Sequence, residues 1–498
     1  MTHRLNTRAA RRTATPPLER DPDLVRGFLE DAAHVPGGHA EAVAFPNDEA
    51  EVAALVMSAD RVLPIGAQSS LTGGATPRGE MVLSTRALTG IDIIDDRTIR
   101  AGAGVPLREL QNMLAARGRY YPPVPTYEGA FVGGTIATNA AGAATFKYGT
   151  TRRWVVGMTV VLASGEVLDL RRGDATAHAD GWFEVASRQG GVCRVRVPSY
   201  RLPDVPKHSA GYYAAAAMDP IDLFIGSEGT LGVIVDATLG TIDRPARSVA
   251  LVPCASESNA VNITAALRES PDVAGVEYMD TRSLALLPEE AFARAGTMRT
   301  TGPLLLVQVE GAIEPFAALL DRLGAADEVI VAPAGDERGA ARLFELREAV
   351  PATVNQRVAL AKAQVDARIE KTAADMIVPF DRLADSLAIY RDTFERLDLE
   401  YAIWGHFSDG NLHPNVIPRS FSDVERGKAA ILEIGQRIVD MGGSPLAEHG
   451  VGRSPVKQAL LRLMYGERGI EEMRAVKHTL DPGWKLAPGV LFPEANRT

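Results

Sequence analysis

Between about residues 42 and 240, short apolar and often β-branched runs alternate with glycine-rich turn signals: RVLPIGA, MVLSTR, IDIID, TIRAGAGV, VVGMTVVLASGEVLDL, DLFIG and GVIVDATL. Runs of this length, bounded by turn formers, predict short strands. Two helical stretches interrupt them. DEAEVAALVMSAD places acidic residues in its first turn, where the helix dipole favours them. PLRELQNMLAARG has proline at its first position and glycine just past its end. The segment therefore reads as α+β with many short strands.

The pattern changes near Pro245. SVALVPC and PLLLVQVEG predict strands, and NAVNITAALRES and EPFAALLDRLG predict helices. From about 337 to 400 the apolar spacing is helical, most clearly in DRLADSLAIYRDTFERLDLE. A strand–turn–strand, YAIWGHFSDGNLHPNVI, follows, and two helices precede the closing LDPGWKLAPGVLFP.

Length and charge narrow what such a chain can be. Its 498 residues exceed a single core, so several domains are expected. A formal net charge of −10 argues against nucleic acid as a partner. Cys193 and Cys254 share no metal-ligand spacing and fit two buried thiols in a reducing compartment. No run approaches the roughly 18 apolar residues of a membrane span. Arg4, Arg8, Arg11 and Arg12 are followed by no apolar core, so the N-terminus reads as a mobile, solvated arm rather than a translocation signal. The expected location is cytoplasmic, compatible with peripheral contact at the inner membrane.

Three loops could cradle an extended anionic ligand. PIGAQSSLTGG, Pro64 to Gly74, follows a predicted strand and mixes glycines with Ser69, Ser70 and Thr72. FVGGTIATNAAG and IGSEGTLGVI are the others. None has the strand–GxGxxG–helix order of a Rossmann site, and singly each is only a turn. Together they suggest a long ligand held mainly by backbone N–H groups.

A second cluster lies toward the C-terminus. HFSDGNLH carries His406, Asp409, Asn411 and His413, and EHGVG carries Glu448 and His449. Two histidines and a carboxylate suit a divalent cation of the Zn or Mn kind. The spacing of the histidines is not a standard ligand spacing, however, and does not carry a metal alone. Glu448 and His449 would also project to opposite sides of a regular strand. They can serve one site only if the backbone turns, which Gly450 and Gly452 permit.

These motifs, with the run YPPVPTYEGAFVGGTIATNAAGAATFKYGTTRRWV, resemble the vanillyl-alcohol-oxidase superfamily and its PCMH-type FAD-binding domain. Within it the chain is most similar to the D-lactate dehydrogenases, glycolate oxidase subunits and D-2-hydroxyglutarate dehydrogenases. The resemblance covers roughly residues 40 to 493. It implies an arm with a short helix over 1–40 and a PCMH-type domain of two α+β subdomains over 41–245. An antiparallel-sheet cap with helices would span 246–430, and a helical segment over 431–498 would pack back on the FAD domain.

The resemblance further implies FAD, with its pyrophosphate held by Pro64, Gly66, Ala67, Gln68, Ser69, Ser70, Leu71 and Gly73; no His or Cys lies in the first two loops, so non-covalent binding is expected. Pro125, Thr126, Gly133, Gly134, Thr138 and Asn139 would follow the flavin and ribityl side, and Gly142, Tyr148, Gly149 and Thr151 would complete that wall. Glu228, Gly229 and Ile234 would lie near the adenosine half. Gln68 and Ser69 stand where Asn and Thr are commoner, Tyr127 near a position often held by a small residue, and Ser408 where the family has glycine. By the same likeness His406, His413 and Glu448 would be metal ligands, His449 the general base, and Asn411 a substrate contact or support. Arg347 in LFELREAVPATVNQR would take the substrate carboxylate, assisted by Lys362 or Lys371, with Lys371 slightly favoured. Pro351 stands where a hydroxyl residue would serve hydroxyglutarate, which disfavours that substrate.

The chemistry needs these parts. Oxidising a 2-hydroxy acid removes a hydroxyl proton and a Cα hydride. An alcohol is too weak an acid at pH 7 unless a metal lowers its pKa and a neutral histidine takes the proton. Flavin N5 accepts the hydride. The expectation is an FAD-dependent oxidation of a lactate- or glycolate-like D-2-hydroxy acid, with quinone, cytochrome, electron-transfer flavoprotein or oxygen as electron acceptor and a homodimer compatible. The alternatives are a flavin subunit that relays electrons within a larger complex, and an ether-lipid-synthase-like non-redox FAD enzyme. The latter group relies on consecutive histidines that this chain lacks.

Overall fold

The computed structural model describes residues 2–493 except 124, 126, 189 and 326. One three-stranded sheet of the N-terminal half is parallel, ordered Val43–Ala44, Met81–Ser84, Val62–Ile65. Parallel strands need crossover connections: the helix Glu49–Ser58 links Val43–Ala44 to Val62–Ile65, and residues 66–80 return to Met81–Ser84 between them. Asp48 caps that helix by accepting from the Glu51 N–H, and Glu51 in return accepts from the Asn47 N–H. The larger sheet has six strands, Arg8–Ala9, Glu166–Arg171, Val155–Val161, Val233–Gly240, Thr98–Gly102 and Ile91–Ile93, and is antiparallel throughout. The first candidate loop follows Val62–Ile65 and the third leads into Val233–Gly240, whereas the second, read as a loop, contains the helix Val132–Ala137.

Three local expectations change. The N-terminus is no free arm: Arg4–Asn6 pairs in parallel with Trp182–Ala186, and Arg8–Ala9 extends the larger sheet. Arg4 pairs with Glu184, and Arg8 with Glu49 and Asp169. Strand pairing supplied partners that charge counting alone did not reveal. DLFIG contributes the helical turn Ile221–Phe224, because Asp219 accepts from the Ile221 N–H and starts a turn after Pro220. The stretch around residues 372–377, within a segment that reads as helical, forms two short strands, Thr372–Ala373 and Met376–Ile377.

The second half is built on an eight-stranded antiparallel sheet. Its order is Ile330–Ala332, Arg247–Pro253, Leu304–Glu310, Val273–Met279, Tyr401–His406, Asn411–Val416 and Thr372–Ala373, with Met376–Ile377 also on Asn411–Val416. Val273–Met279 is buried at every position, so VAGVEYM lacks the alternation that would have announced it. The 28-residue helix Glu337–Gln364, with Pro351 inside it, packs on this sheet and carries Arg347. The C-terminal helix Pro455–Leu480 is broken at Gly466. Beyond it the chain returns to the parallel sheet, where Val62 N–H donates to Lys485 O and Ala487 N–H to Val62 O. No described helix is long and apolar enough to cross a membrane.

Candidate active site

One groove collects the three loops. Pro64, Gly66, Ala67, Gln68, Ser69, Ser70 and Leu71 line it from the first, Pro125, Gly133, Gly134 and Thr138 from the second, and Glu228, Gly229 and Ile234 from the third. Glu448 and His449 close it at one end. Along Ala67–Leu71 the backbone N–H groups donate to no described residue. Five unpaired donors on one loop form an anion cradle of the kind a pyrophosphate fills. A Cβ at Gly134 would meet nothing within 4 Å, so that position faces open groove. The residues present therefore fit FAD.

Gln68 has a structural task of its own. It sits at φ 56°, and its side-chain amide donates to Gly27 O (3.1 Å) and Glu30 O (2.8 Å), anchoring the loop to the N-terminal segment. Six residues expected on the groove wall lie behind it. Gly73 (φ 73°) and Gly149 (φ 75°) are turn glycines. Asn139 accepts from the Arg152 N–H (3.0 Å), Gly142 N–H donates to Thr145 Oγ1 (3.0 Å), and Thr151 donates to Ala140 O (2.8 Å). The Tyr148 hydroxyl donates to Glu310 across the seam between the two halves. Thr126 lies outside the described residues. Phe131, Thr135 and Ala141 line the groove without having stood out in the sequence. Tyr127 is exposed at its mouth.

The histidines are brought together by strand register. His406 stands opposite Glu277 on one neighbour and Asn411 on the other, while His413 stands opposite Trp404. Residues two apart share a face, so His406, Glu277 and His413 project to the same side. A 3-10 turn at Phe407–Asp409 and a left-handed Gly410 close the hairpin. Ser408 is useful there: its Oγ accepts from the Val276 N–H (3.0 Å), fastening the turn to the adjacent strand. The EHGVG backbone does turn, with Gly450 at φ 76° and Gly452 at φ 56°. Both Glu228 carboxylate oxygens hold it, accepting from the Val451 and Gly452 N–H groups at 2.8 Å each.

Glu448 Oε1 is the meeting point. His406 Nε2 lies 3.2 Å from it, His413 Nε2 3.4 Å and His449 Nε2 3.5 Å. The sequence motifs contain all four residues but not Asp375, which organises them. Asp375 accepts from the Glu448 and His449 N–H groups (2.8 Å each) and from Asn411 Nδ2 (3.0 Å). It also lies 3.4 Å from His413 Nδ1 and 3.2 Å from His449 Nδ1. Two further partners escaped the sequence reading, because a lone Lys in the loop PDVPKHSAG and a lone Glu in the apolar run VAGVEYM carry no spacing signal. Buried Lys207 pairs with Glu448 Oε2 (2.8 Å) and Asp409 (3.1 Å), and Glu277 accepts from His406 Nδ1 (2.8 Å).

One donor atom from each of Asp375, His413, Glu448 and His449 lies within 4.8 Å of the others. Imidazole and carboxylate donors at that spacing suit a divalent cation. His413 Nδ1 and Asn411 Oδ1, both buried, make no hydrogen bond to any described residue. Burial lowers the His406 pKa, but the Glu277 and Glu448 carboxylates outweigh it and hold the ring up at about 9. A proton and a cation are alternatives at such a point. Burial pulls His449 down to about 4, against the opposing pull of Asp375 and Glu448. His449 is also the histidine open to the groove: its side chain is 29% exposed, against 1% for His406 and 7% for His413.

Arg347 is placed behind this cluster. Its guanidinium lies on Glu277 Oε2, with Nε and Nη2 both at 3.0 Å, so it bears on His406 through Glu277. Lys362 is exposed near the end of the same helix, whereas Lys371 is half-buried. Pro351 sits one helical turn beyond Arg347.

Residues 40–171 match the model of an FAD binding domain, and residues 244–491 that of the C-terminal domain of FAD linked oxidases. A D-2-hydroxyglutarate dehydrogenase of Xanthomonas citri pv. viticola is 32% identical over 475 residues, 91% of this chain and 89% of that one. The glycolate oxidase subunit GlcD of Bacillus subtilis is 28% identical over 478 residues, 92% and 90% of the two chains. Among solved structures, an alkyldihydroxyacetonephosphate synthase superposes with a TM-score of 0.65 at 16% identity, covering 97% of this chain and 88% of that one. That likeness is one of fold.

Proposed function

The chain belongs to the FAD-linked oxidases, in the group of D-2-hydroxy acid dehydrogenases and oxidases, and we propose that it oxidises a small lactate- or glycolate-like D-2-hydroxy acid to the 2-oxo acid. It is an FAD-dependent oxidoreductase acting on CH–OH donors. The observation that carries the finer reading is His449, the histidine of the cluster that opens onto the FAD groove.

Bound in that groove, FAD supplies a two-electron hydride acceptor. The residues of the chain do the rest. Asp375 engages His449 Nδ1, which leaves Nε2, 3.5 Å from Glu448 Oε1, as the nitrogen to accept the hydroxyl proton. The low pKa of His449 keeps the ring neutral and ready for it. Glu228 grips the following turn and fixes His449 against the groove. His406, His413 and Glu448 would hold a divalent cation, which lowers the pKa of a hydroxyl and orients it when bound. Glu277, backed by Arg347, sets the His406 ring, and Asn411 sets Asp375.

The isolated protein is tested by dye reduction against a panel of 2-hydroxy acids, with D-lactate and glycolate included. Turnover by the chain alone is the expected result. A protein that reduces the dye only when other subunits are added would instead be an electron relay.

A further inference from the structure

The two oxygens of the Glu448 carboxylate face different neighbours. Oε1 lies 3.2 Å from His406 Nε2 and 3.4 Å from His413 Nε2, on the side where donors for a cation gather. Oε2 accepts from Lys207 Nζ at 2.8 Å. The same ammonium lies 3.1 Å from Asp409 Oδ2, and the Lys207 and Asp409 side chains are both wholly inaccessible. Lys207 comes from the first half of the chain and ties together the two motifs of the second. It reaches the Phe407–Asp409 turn that separates His406 from His413, and it reaches Glu448 itself. Its own loop is fixed on two sides. The Ser209 N–H donates to Leu446 O (3.1 Å), two residues before Glu448, and Ser209 Oγ donates to Thr138 O on the groove wall (2.8 Å).

A buried ammonium among carboxylates contributes little net stability, since apolar side chains of similar volume do as well. What this arrangement supplies is orientation. A carboxylate holds a cation through one oxygen or through both, and an oxygen that accepts from an ammonium is withdrawn from the second mode. We infer that Lys207 is the positioning residue of the metal site: it occupies Glu448 Oε2, so that Glu448 meets the ion through Oε1 alone and a coordination position stays open for the substrate. This rests on the reading of His406, His413 and Glu448 as the ligands of a divalent cation.

The test uses the FAD-loaded protein with cobalt(II) as the ion, read from the visible cobalt band at wavelengths beyond the flavin absorption. An added carboxylate oxygen raises the coordination number and weakens that band. Lys207→Met combined with Asp409→Asn removes the ammonium and one carboxylate together and leaves the net charge of the site unchanged. In this double variant the band should shift and lose intensity as Oε2 joins the ion. Asp409→Asn alone, which keeps Lys207 on Glu448, should retain the wild-type band. A band shared by wild type and double variant, or lost already in Asp409→Asn, overturns the proposal. Should the double variant fail to fold, a crystal structure of the zinc-loaded wild type decides: Oε1 alone on the ion, with Lys207 on Oε2, sustains the proposal, and both oxygens on the ion overturn it. A wild type that takes up no cobalt refutes the metal ligands of the proposed function and this clamp with them, whereas cobalt uptake with an unaltered band in the double variant refutes the clamp alone.

Discussion

Asp375 takes hydrogen bonds or close contacts from five groups: the Glu448 and His449 N–H, Asn411 Nδ2, His413 Nδ1 and His449 Nδ1. An amide in its place offers one acceptor oxygen and turns an NH2 toward donors. Asp375→Asn should therefore misorient His449 and slow flavin reduction roughly 10²- to 10⁴-fold with flavin retained; a stopped-flow rate within threefold of wild type, roughly 0.6 kcal/mol in barrier, would contradict this. The pH dependence follows from His449. Its pKa is depressed by burial to about 4, so the ring is neutral throughout the neutral range and is lost as a base only as pH falls toward 4. The reduction rate should hold level between about pH 5.5 and 8, whereas a fall centred near the ordinary value of about 6.5 would show an unperturbed histidine. His406, His413, Glu448 and His449 are legible in the sequence because they sit in two compact motifs. Asp375 is not, since TAADMIVP offers only a carboxylate between apolar residues.

At the scale of elements, the site depends on a buried strand and the helix laid over it. Val273–Met279 presents Glu277 between His406 and Arg347, with both ends of the Glu277–Arg347 pair nearly inaccessible. Removing one member of such a pair strands the other. Arg347→Met should lower stability by about 3–5 kcal/mol, and adding Glu277→Gln should recover part of the loss, read as unfolding midpoints in denaturant. A single variant as stable as wild type would mean that Glu277 finds another partner. Most elements follow from pattern, including Leu383–Arg396 and the Tyr401–Val416 hairpin. Those that do not are the fully buried strand, which has no period, and the short strands near Asp375, whose residues imitate a continuing helix.

Across the whole molecule, the active site forms where the two halves meet, with the loops of one half and Glu448 and His449 of the other lining a single groove. Lys147, Tyr148 and Arg247 all converge on Glu310 at the same seam. The N-terminal strands are part of this body, tied by two short ladders and mostly exposed ion pairs, each worth about 0–1 kcal/mol. Deleting residues 1–9 should lower Tm by a few degrees while leaving flavin in place; an unchanged Tm would restore the free arm that composition suggests. The α+β FAD half and the antiparallel cap were anticipated from the motifs, but the docking of the arm depends on cross-strand partners distant in sequence. The most direct test of the account is single-turnover flavin reduction under anaerobic conditions, in wild type and His449→Ala, each mixed with a series of D-2-hydroxy acids. Bleaching in wild type by at least one of them, with retained but unreduced flavin in the variant, is the predicted result. Equal bleaching of both proteins, or of neither, would contradict it.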